Sequence, residues 1–69
     1  MSEKEREQLK RIAIQSTLVE VRKRVIDALA AYGEPAIPDI LDVVEGSTTL
    51  EVREHGLAKV KELKEMLGE

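Results

Sequence analysis

Apolar residues recur at spacings of three and four along most of this chain, and the pattern divides it into four amphipathic stretches. The first predicts a helix from about Glu3 to Gln15, with Leu9, Ile12 and Ala13 facing inward. Three more helices are predicted from their apolar stripes. The inward-facing residues of the second helix are Val21, Val25, Ala28, Leu29 and Tyr32, and those of the third are Ile37, Ile40, Leu41, Val43 and Val44. Those of the fourth are Val52, Leu57, Val60, Leu63 and Leu67. The pattern therefore predicts an all-α fold.

The expected helix boundaries carry recognisable signals. A Ser or Thr followed three residues later by Glu is a capping box, and it marks helix starts at Ser2, Thr17 and Thr48. The remaining boundaries are marked by glycine or proline: Gly33, Gly46 and Gly68 after helices, and Pro35 and Pro38 where the third helix begins.

A seven-residue stretch occurs twice, at residues 16–22 and 47–53, and the offset of 31 residues holds on both sides. Residues 6–36 therefore align with residues 37–67, with six identities, five of them at Ser16, Thr17, Glu20, Val21 and Arg22. A period of this length is typical of stacked helical repeats. We expect residues 1–69 to form one domain of two stacked antiparallel helix pairs, the units being 6–36 and 37–67.

The residues from Val21-Arg22 through Val25, Ala28-Leu29 and Gly33 to Pro35 and Pro38 resemble the HEAT repeat, in the short form of phycocyanobilin-lyase-type proteins. The second copy restarts at Val52-Arg53 but departs from the pattern at Gly56 and Lys59-Val60. The resemblance implies an α-solenoid fragment, in which Arg22 and Arg53 would bond an acidic or carbonyl group of the adjacent repeat. It leaves activity open, because such repeats serve scaffolds, lyase subunits and nucleic-acid-binding proteins.

Composition narrows the class of protein. The chain has 69 residues, no Cys, and Tyr32 as its single aromatic residue, so the core must be aliphatic. No run approaches the roughly 20 apolar residues of a membrane span, and the charged first twelve residues do not resemble a secretory signal. We expect a cytoplasmic protein without membrane contact. The scarcity of amides beside abundant Lys, Arg and Glu is common in proteins from hot environments.

The charge is unevenly distributed. Residues 4–24 carry seven basic and three acidic residues, whereas residues 27–54 carry seven acidic residues and one basic residue. The basic side chains of the first helix pair are candidate phosphate contacts: Lys10, Arg11, Arg22, Lys23 and Arg24. Because no aromatic residue interleaves them and the pI is about 5.2, nucleic-acid association is the alternative function rather than the leading one.

The residue types that carry chemistry are not arranged for it. His55 lies one helical turn from Glu51, but two ligands are too few for a metal site. No Ser or Cys nucleophile is paired with that His, and the carboxylates of the third helix lack an apolar pocket. We expect no catalytic, metal or cofactor site and infer no small-molecule substrate.

The last helix carries more apolar residues than one neighbouring helix can cover. Its predicted partner-binding residues are Leu57, Val60, Leu63, Met66 and Leu67, with lysines and glutamates around them. We expect this face to be buried in a symmetric homodimer or against a repeat-containing partner. The predicted function is therefore non-catalytic protein–protein interaction or scaffolding.

Overall fold

The computed structural model describes residues 3–66 and Gly68. It contains four α-helices, α1 (Glu3–Gln15), α2 (Val19–Ala30), α3 (Ile37–Glu45) and α4 (Leu50–Met66), with a 3₁₀ turn at Glu34–Ala36 before α3. No strand occurs among these residues, so the expected all-α fold is confirmed. None of the described helices is long and apolar enough to cross a membrane.

Helix α2 lies at the centre of the packing. It contacts α1, α3 and α4, while α1 also packs on α3 and α3 packs on α4. The aliphatic core formed in this way is Ala13, Val25, Ile26, Leu29, Ala36, Ile40, Val43, Val44, Val52, Val60 and Leu63. The principal extents are 34 × 26 × 16 Å, so the molecule is thin in one direction and most side chains lie near a surface.

Three expected inward positions are wrong and two core residues were missed. Ile12 is 51% exposed, Leu57 is 50% exposed and Ala28 is exposed, although the spacing placed all three inward. Ile26 and Ala36 are fully buried but were absent from the predicted sets. Ile26 is buried because α2 has neighbours on more than one side, so its buried surface is wider than the single stripe of a helix with one neighbour.

The turns before α2 and α4 are built on Ser16 and Ser47, and the expected threonine caps are wrong. The N-cap of α2 is Leu18, without a side-chain hydrogen bond, and α4 begins at Leu50. The hydroxyl of Ser16 accepts a hydrogen bond from the N–H of Leu18 at 3.1 Å, and Ser47 accepts one from Thr49 at 3.3 Å. Hydroxyl groups commonly close turns in this way two residues ahead. The predicted cap at Ser2 lies outside the described residues.

Glycine and proline separate α2 from α3 as expected. Gly33 has φ of +82°, a conformation that residues with a Cβ rarely adopt. Pro35 lies in the 3₁₀ turn and Pro38 in the first turn of α3, where no backbone N–H is needed. The corresponding positions in α4 are Lys64 and Met66, so this helix runs five residues beyond the point equivalent to the end of α2.

Gly56 allows α3 and α4 to approach closely. It is buried in the middle of α4, and a Cβ there would overlap Cγ2 of Val44 and lie 3.4 Å from Cδ1 of Ile26. The equivalent positions 31 residues earlier hold Val25 and Ala13. In the second repeat the small residue is Gly56 and the larger one is Val44. In the first repeat the sizes are reversed, with Val25 in place of Gly56 and Ala13 in place of Val44. The departure from the repeat pattern at Gly56 is therefore compensated by a larger residue at Val44.

Candidate interaction surface

Ion pairs join the first repeat (residues 6–36) to the second repeat (residues 37–67), beginning with α1 and α3. Arg6 Nη1 lies 3.0 Å from Asp39 Oδ2 and donates to the carbonyl oxygen of Pro35 at 2.6 Å. Lys10 Nζ lies 2.9 Å from Asp42 Oδ2 and 3.3 Å from Asp39 Oδ1. The hydrogen bond to Asp42 raises the pKa of Lys10 above its ordinary value. Basic α1 and acidic α3 therefore attract each other across the junction.

A second set of ion pairs joins α2 to α4. Lys23 Nζ donates to Glu51 Oε2 at 2.8 Å, a bond that raises the pKa of Lys23 and lowers that of Glu51. Asp27 Oδ1 lies 2.7 Å from Nε2 of His55 and 3.8 Å from Nζ of Lys59. The charge gradient noted in the sequence is thus used inside the molecule, largely to hold the two repeats together.

Arg22 connects three backbone and side-chain groups near the centre of the molecule. Its Nε donates to the carbonyl oxygens of Ser16 at 2.8 Å and Ala13 at 3.2 Å, and its Nη1 donates to Ser47 Oγ at 3.2 Å. Ser47 is almost fully buried, at 2% exposure. One guanidinium therefore ties α1, its own helix and the turn before α4 together.

The residues of the second repeat that correspond to this junction form a surface, which we call the end face. It consists of Ile37, Leu41, Arg53, Glu54, Leu57 and Ala58, each 31 residues after a member of the junction. Ile26 is fully buried at the junction, whereas its equivalent Leu57 is 50% exposed. Arg53, the equivalent of Arg22, is exposed, and its side chain forms no hydrogen bond or ion pair within the described part of the chain. The end face is a junction surface without a neighbour.

The residues predicted to bind a partner do not form one patch. Val60 and Leu63 are 7% and 6% exposed and belong to the core, because α4 packs on both α2 and α3. Leu57 and Met66 are exposed, and Leu67 lies outside the described residues. Sequence reasoning missed Arg53, Ile37 and Leu41, although the internal alignment marks all three by their partners in the first repeat.

The predicted phosphate contacts are largely engaged within the protein. Arg22, Lys10 and Lys23 make the contacts described above. Arg11 and Arg24 are exposed, with no side-chain hydrogen bond or ion pair to another described residue. The structure therefore does not bring the five basic side chains together as a free basic surface.

Few groups are placed for chemistry. His55 faces Asp27 across the junction and does not share a site with a described nucleophile. A shallow depression on α1 is lined by Glu7, Lys10, Arg11, Ile14 and Gln15 and is open to solvent. Within residues 3–66 and Gly68, no group of three or more acidic, His or Cys side chains is positioned to hold a metal ion.

Comparison with known proteins found no protein similar to this chain. No family model, no curated protein and no solved structure matches the chain.

Proposed function

We propose that this chain is a HEAT-like pair of stacked repeats that binds a partner protein through its end face and is not itself catalytic. The observation that carries the proposal is the difference in exposure between two aliphatic residues at equivalent positions of the two repeats. Ile26 is fully buried where the repeats meet, and Leu57 is half exposed at the corresponding place on the second repeat. A single exposed apolar side chain is ordinary on a protein surface, and what favours a further neighbour is that Leu57 occupies the position which the second repeat covers at Ile26.

The packing of the helices supports a stacked-repeat arrangement. Equivalent helices lie against each other, α1 on α3 and α2 on α4, and each pair of helices also packs within its own repeat. In such arrays each repeat contacts its neighbours alone, and a terminal repeat needs either a polar outer face or a partner. The end face carries Leu57 and the partly buried Ile37 and Leu41, so it fits the second case.

Charge favours a protein partner over nucleic acid. Two of the five basic side chains that would contact phosphate, Lys10 and Lys23, are paired with Asp39, Asp42 and Glu51 inside the molecule, and a third, Arg22, donates its hydrogen bonds within the protein. Breaking those ion pairs would oppose binding, and the chain as a whole carries a net charge of −3.

The test is capture of proteins from the source cell by three immobilised chains: wild type, Leu57→Glu and Leu18→Glu. Leu18 is the matched control because it is 63% exposed and lies outside the end face. We expect a protein held by wild type and by Leu18→Glu but lost with Leu57→Glu. In the purified complex, amide hydrogen exchange should slow in α4 around Leu57.

Helicity of all three chains should be checked by circular dichroism, so that loss of binding is not loss of fold. Capture that is insensitive to Leu57→Glu, or protection confined to α1, would overturn the proposal. Binding that weakens steeply with salt and follows Arg11 and Arg24 would instead support the nucleic-acid alternative.

A further inference from the structure

The charges at the junction between the repeats do not recur where two copies of this chain would meet head to tail. In such a stack the end face of one copy would contact the first repeat of the next, and each contact is read by shifting the junction by 31 residues. Between the helices equivalent to α1 and α3, all three ion pairs disappear. Arg6 with Asp39 becomes Ile37 with Gln8, and the two pairs of Lys10 become contacts of Leu41 with Gln8 and Arg11. An apolar side chain would face a polar or charged one in every case.

Between the helices equivalent to α2 and α4, attraction becomes repulsion. The 2.8 Å pair of Lys23 and Glu51 would be replaced by Glu54 facing Glu20. The remaining charged contacts are also lost, because Asp27 is replaced by Ala58. Like charges placed opposite each other across an interface disfavour that partner.

The apolar contact at the centre of the junction would also change. At the junction Ile26 lies against Gly56, where an added Cβ would just reach van der Waals contact with it, at 3.4 Å. Head to tail, Leu57 would instead meet Val25, which has a branched side chain. The close approach that glycine permits is therefore absent from the first repeat.

Two features of the junction do persist on the end face. Leu57 keeps the apolar character of Ile26, and Arg53 keeps the guanidinium of Arg22, which the same shift would place opposite Ser16 of a second copy. The end face thus needs three things from a neighbour: a basic residue opposite Glu54, a glycine or alanine opposite Leu57, and a Ser or Thr hydroxyl within reach of Arg53.

We propose that the end face receives a helix pair of the same repeat class from a different protein, with a Lys or Arg opposite Glu54, and that it rejects a second copy of this chain. The proposal rests on the proposed function and specifies the partner. Continuity with the junction of the two repeats supplies the geometry, and the unmatched carboxylate of Glu54 supplies the selectivity.

The test builds the missing neighbour from this chain's own second repeat. A copy of residues 31–67 is joined directly after Lys61, so that the native turn at Gly33 and Pro35 leads into the appended repeat, the 31-residue spacing is kept, and the required glycine and serine are provided. Two versions are compared, one with lysine and one with the native glutamate at the appended copy of Glu51. We expect amide exchange around Leu57 to slow at least tenfold in the lysine version, with a higher urea midpoint than the glutamate version.

The matched control places the same charge change at the appended copy of Glu65, which is exposed in the native chain and lies outside the junction. This control should leave the urea midpoint of the glutamate version unchanged. Equal midpoints for the lysine and glutamate versions, or unprotected amides around Leu57 in both, would overturn the proposal. A rise in the urea midpoint of the control as large as that of the lysine version would also overturn the proposal.

Self-association provides an independent measurement on the native chain. Sedimentation velocity at about 100 μM, far above a micromolar dissociation constant, should show a monomer. A dimer or growing oligomer that Leu57→Glu dissociates would show that a second copy occupies the end face and would refute the proposed occupant.

The two proposals can fail separately. If capture depends on Leu57 but the lysine and glutamate versions behave alike, the chain is an interaction module and the repeat-type partner is wrong. If the lysine version succeeds but capture does not depend on Leu57, the end face can receive a repeat but the proposed function is wrong.

Discussion

Replacing Arg22 by Met should destabilise this protein far more than the same replacement at Arg53. Arg22 donates three hydrogen bonds, to the carbonyl oxygens of Ala13 and Ser16 and to the buried hydroxyl of Ser47. A hydrogen bond made by a charged group contributes about 1.5–3 kcal/mol, and the contributions do not simply add. Two of the acceptors keep a second donor, because Ser16 N–H also bonds Ala13 and Thr49 N–H also bonds Ser47.

We therefore expect Arg22→Met to lower the free energy of unfolding by about 2–3 kcal/mol. A chain of this size is stable by roughly 3–10 kcal/mol, so the loss is a large share of the total. With a urea dependence of about 1 kcal/mol per molar, the unfolding midpoint should fall by about 2–3 M. The assay is urea unfolding followed by helical circular dichroism.

Arg53→Met is the control because it makes the same chemical change at the equivalent position, where the side chain is exposed. Its effect should stay within about 0.5 kcal/mol, as for most surface substitutions. Arg22→Lys should behave more like Arg22→Met than like wild type, since a lysine lacks the forked donors that reach two elements at once. Equal midpoint shifts for Arg22→Met and Arg53→Met would refute the role assigned to Arg22.

Three further experiments with substituted chains test other parts of the structure. Gly56→Ala should cost about 1–3 kcal/mol by overpacking against Val44, and adding Val44→Ala should recover part of that loss in thermal melts; an unchanged melting temperature for the single variant would contradict the close approach. Ser16→Ala should lower the urea midpoint and Thr17→Ala should not, because the serine accepts the turn hydrogen bond and the threonine caps nothing; the reverse order would restore the threonine cap. Glu51→Gln should reduce the free energy of unfolding at pH 7. The difference from wild type should vanish as the pH falls below the ordinary glutamate pKa of 4.5 and through the lowered folded-state pKa of Glu51. A stability difference that persists at pH 2 would not be electrostatic.

The helices could be predicted from the sequence because their signals are local. Gly33, Pro35 and Pro38 act through backbone conformation, and the structure places them where the pattern did. The prediction of threonine caps was wrong because the capping-box pattern is ambiguous. Ser-Thr-x-x-Glu fits a helix capped by the Thr hydroxyl and also a turn closed by the Ser hydroxyl, and local sequence does not distinguish the two. At Ser47 the hydroxyl also accepts a hydrogen bond from Arg22, a contact between distant positions that local sequence does not reveal.

The candidate surface was harder to predict because exposure depends on neighbours. Val60, Leu63 and Leu57 have the same apolar character and the same helical spacing, yet two lie in the core and one is half exposed. Composition and periodicity cannot separate them, since both describe a helix in isolation. The internal alignment separates them only together with the structure, which places Ile26, the equivalent of Leu57, against Gly56 of α4.

The two repeats differ in a way that follows from their unequal surroundings. Five of the six identities fall in the turn and the start of the helix that follows it, ending at Arg22 and Arg53, where both copies need the same backbone path. The charged positions of the junction are not repeated, because each is matched to a partner that occurs once. Lys23 with Glu51 is complementary, and its shifted counterpart, Glu54 with Glu20, is not. A repeat that kept these charges identical would stack on its own copies without limit. Divergence at the junction positions therefore keeps one pairing inside the chain, and under the proposed function it leaves the end face for a partner with different charges.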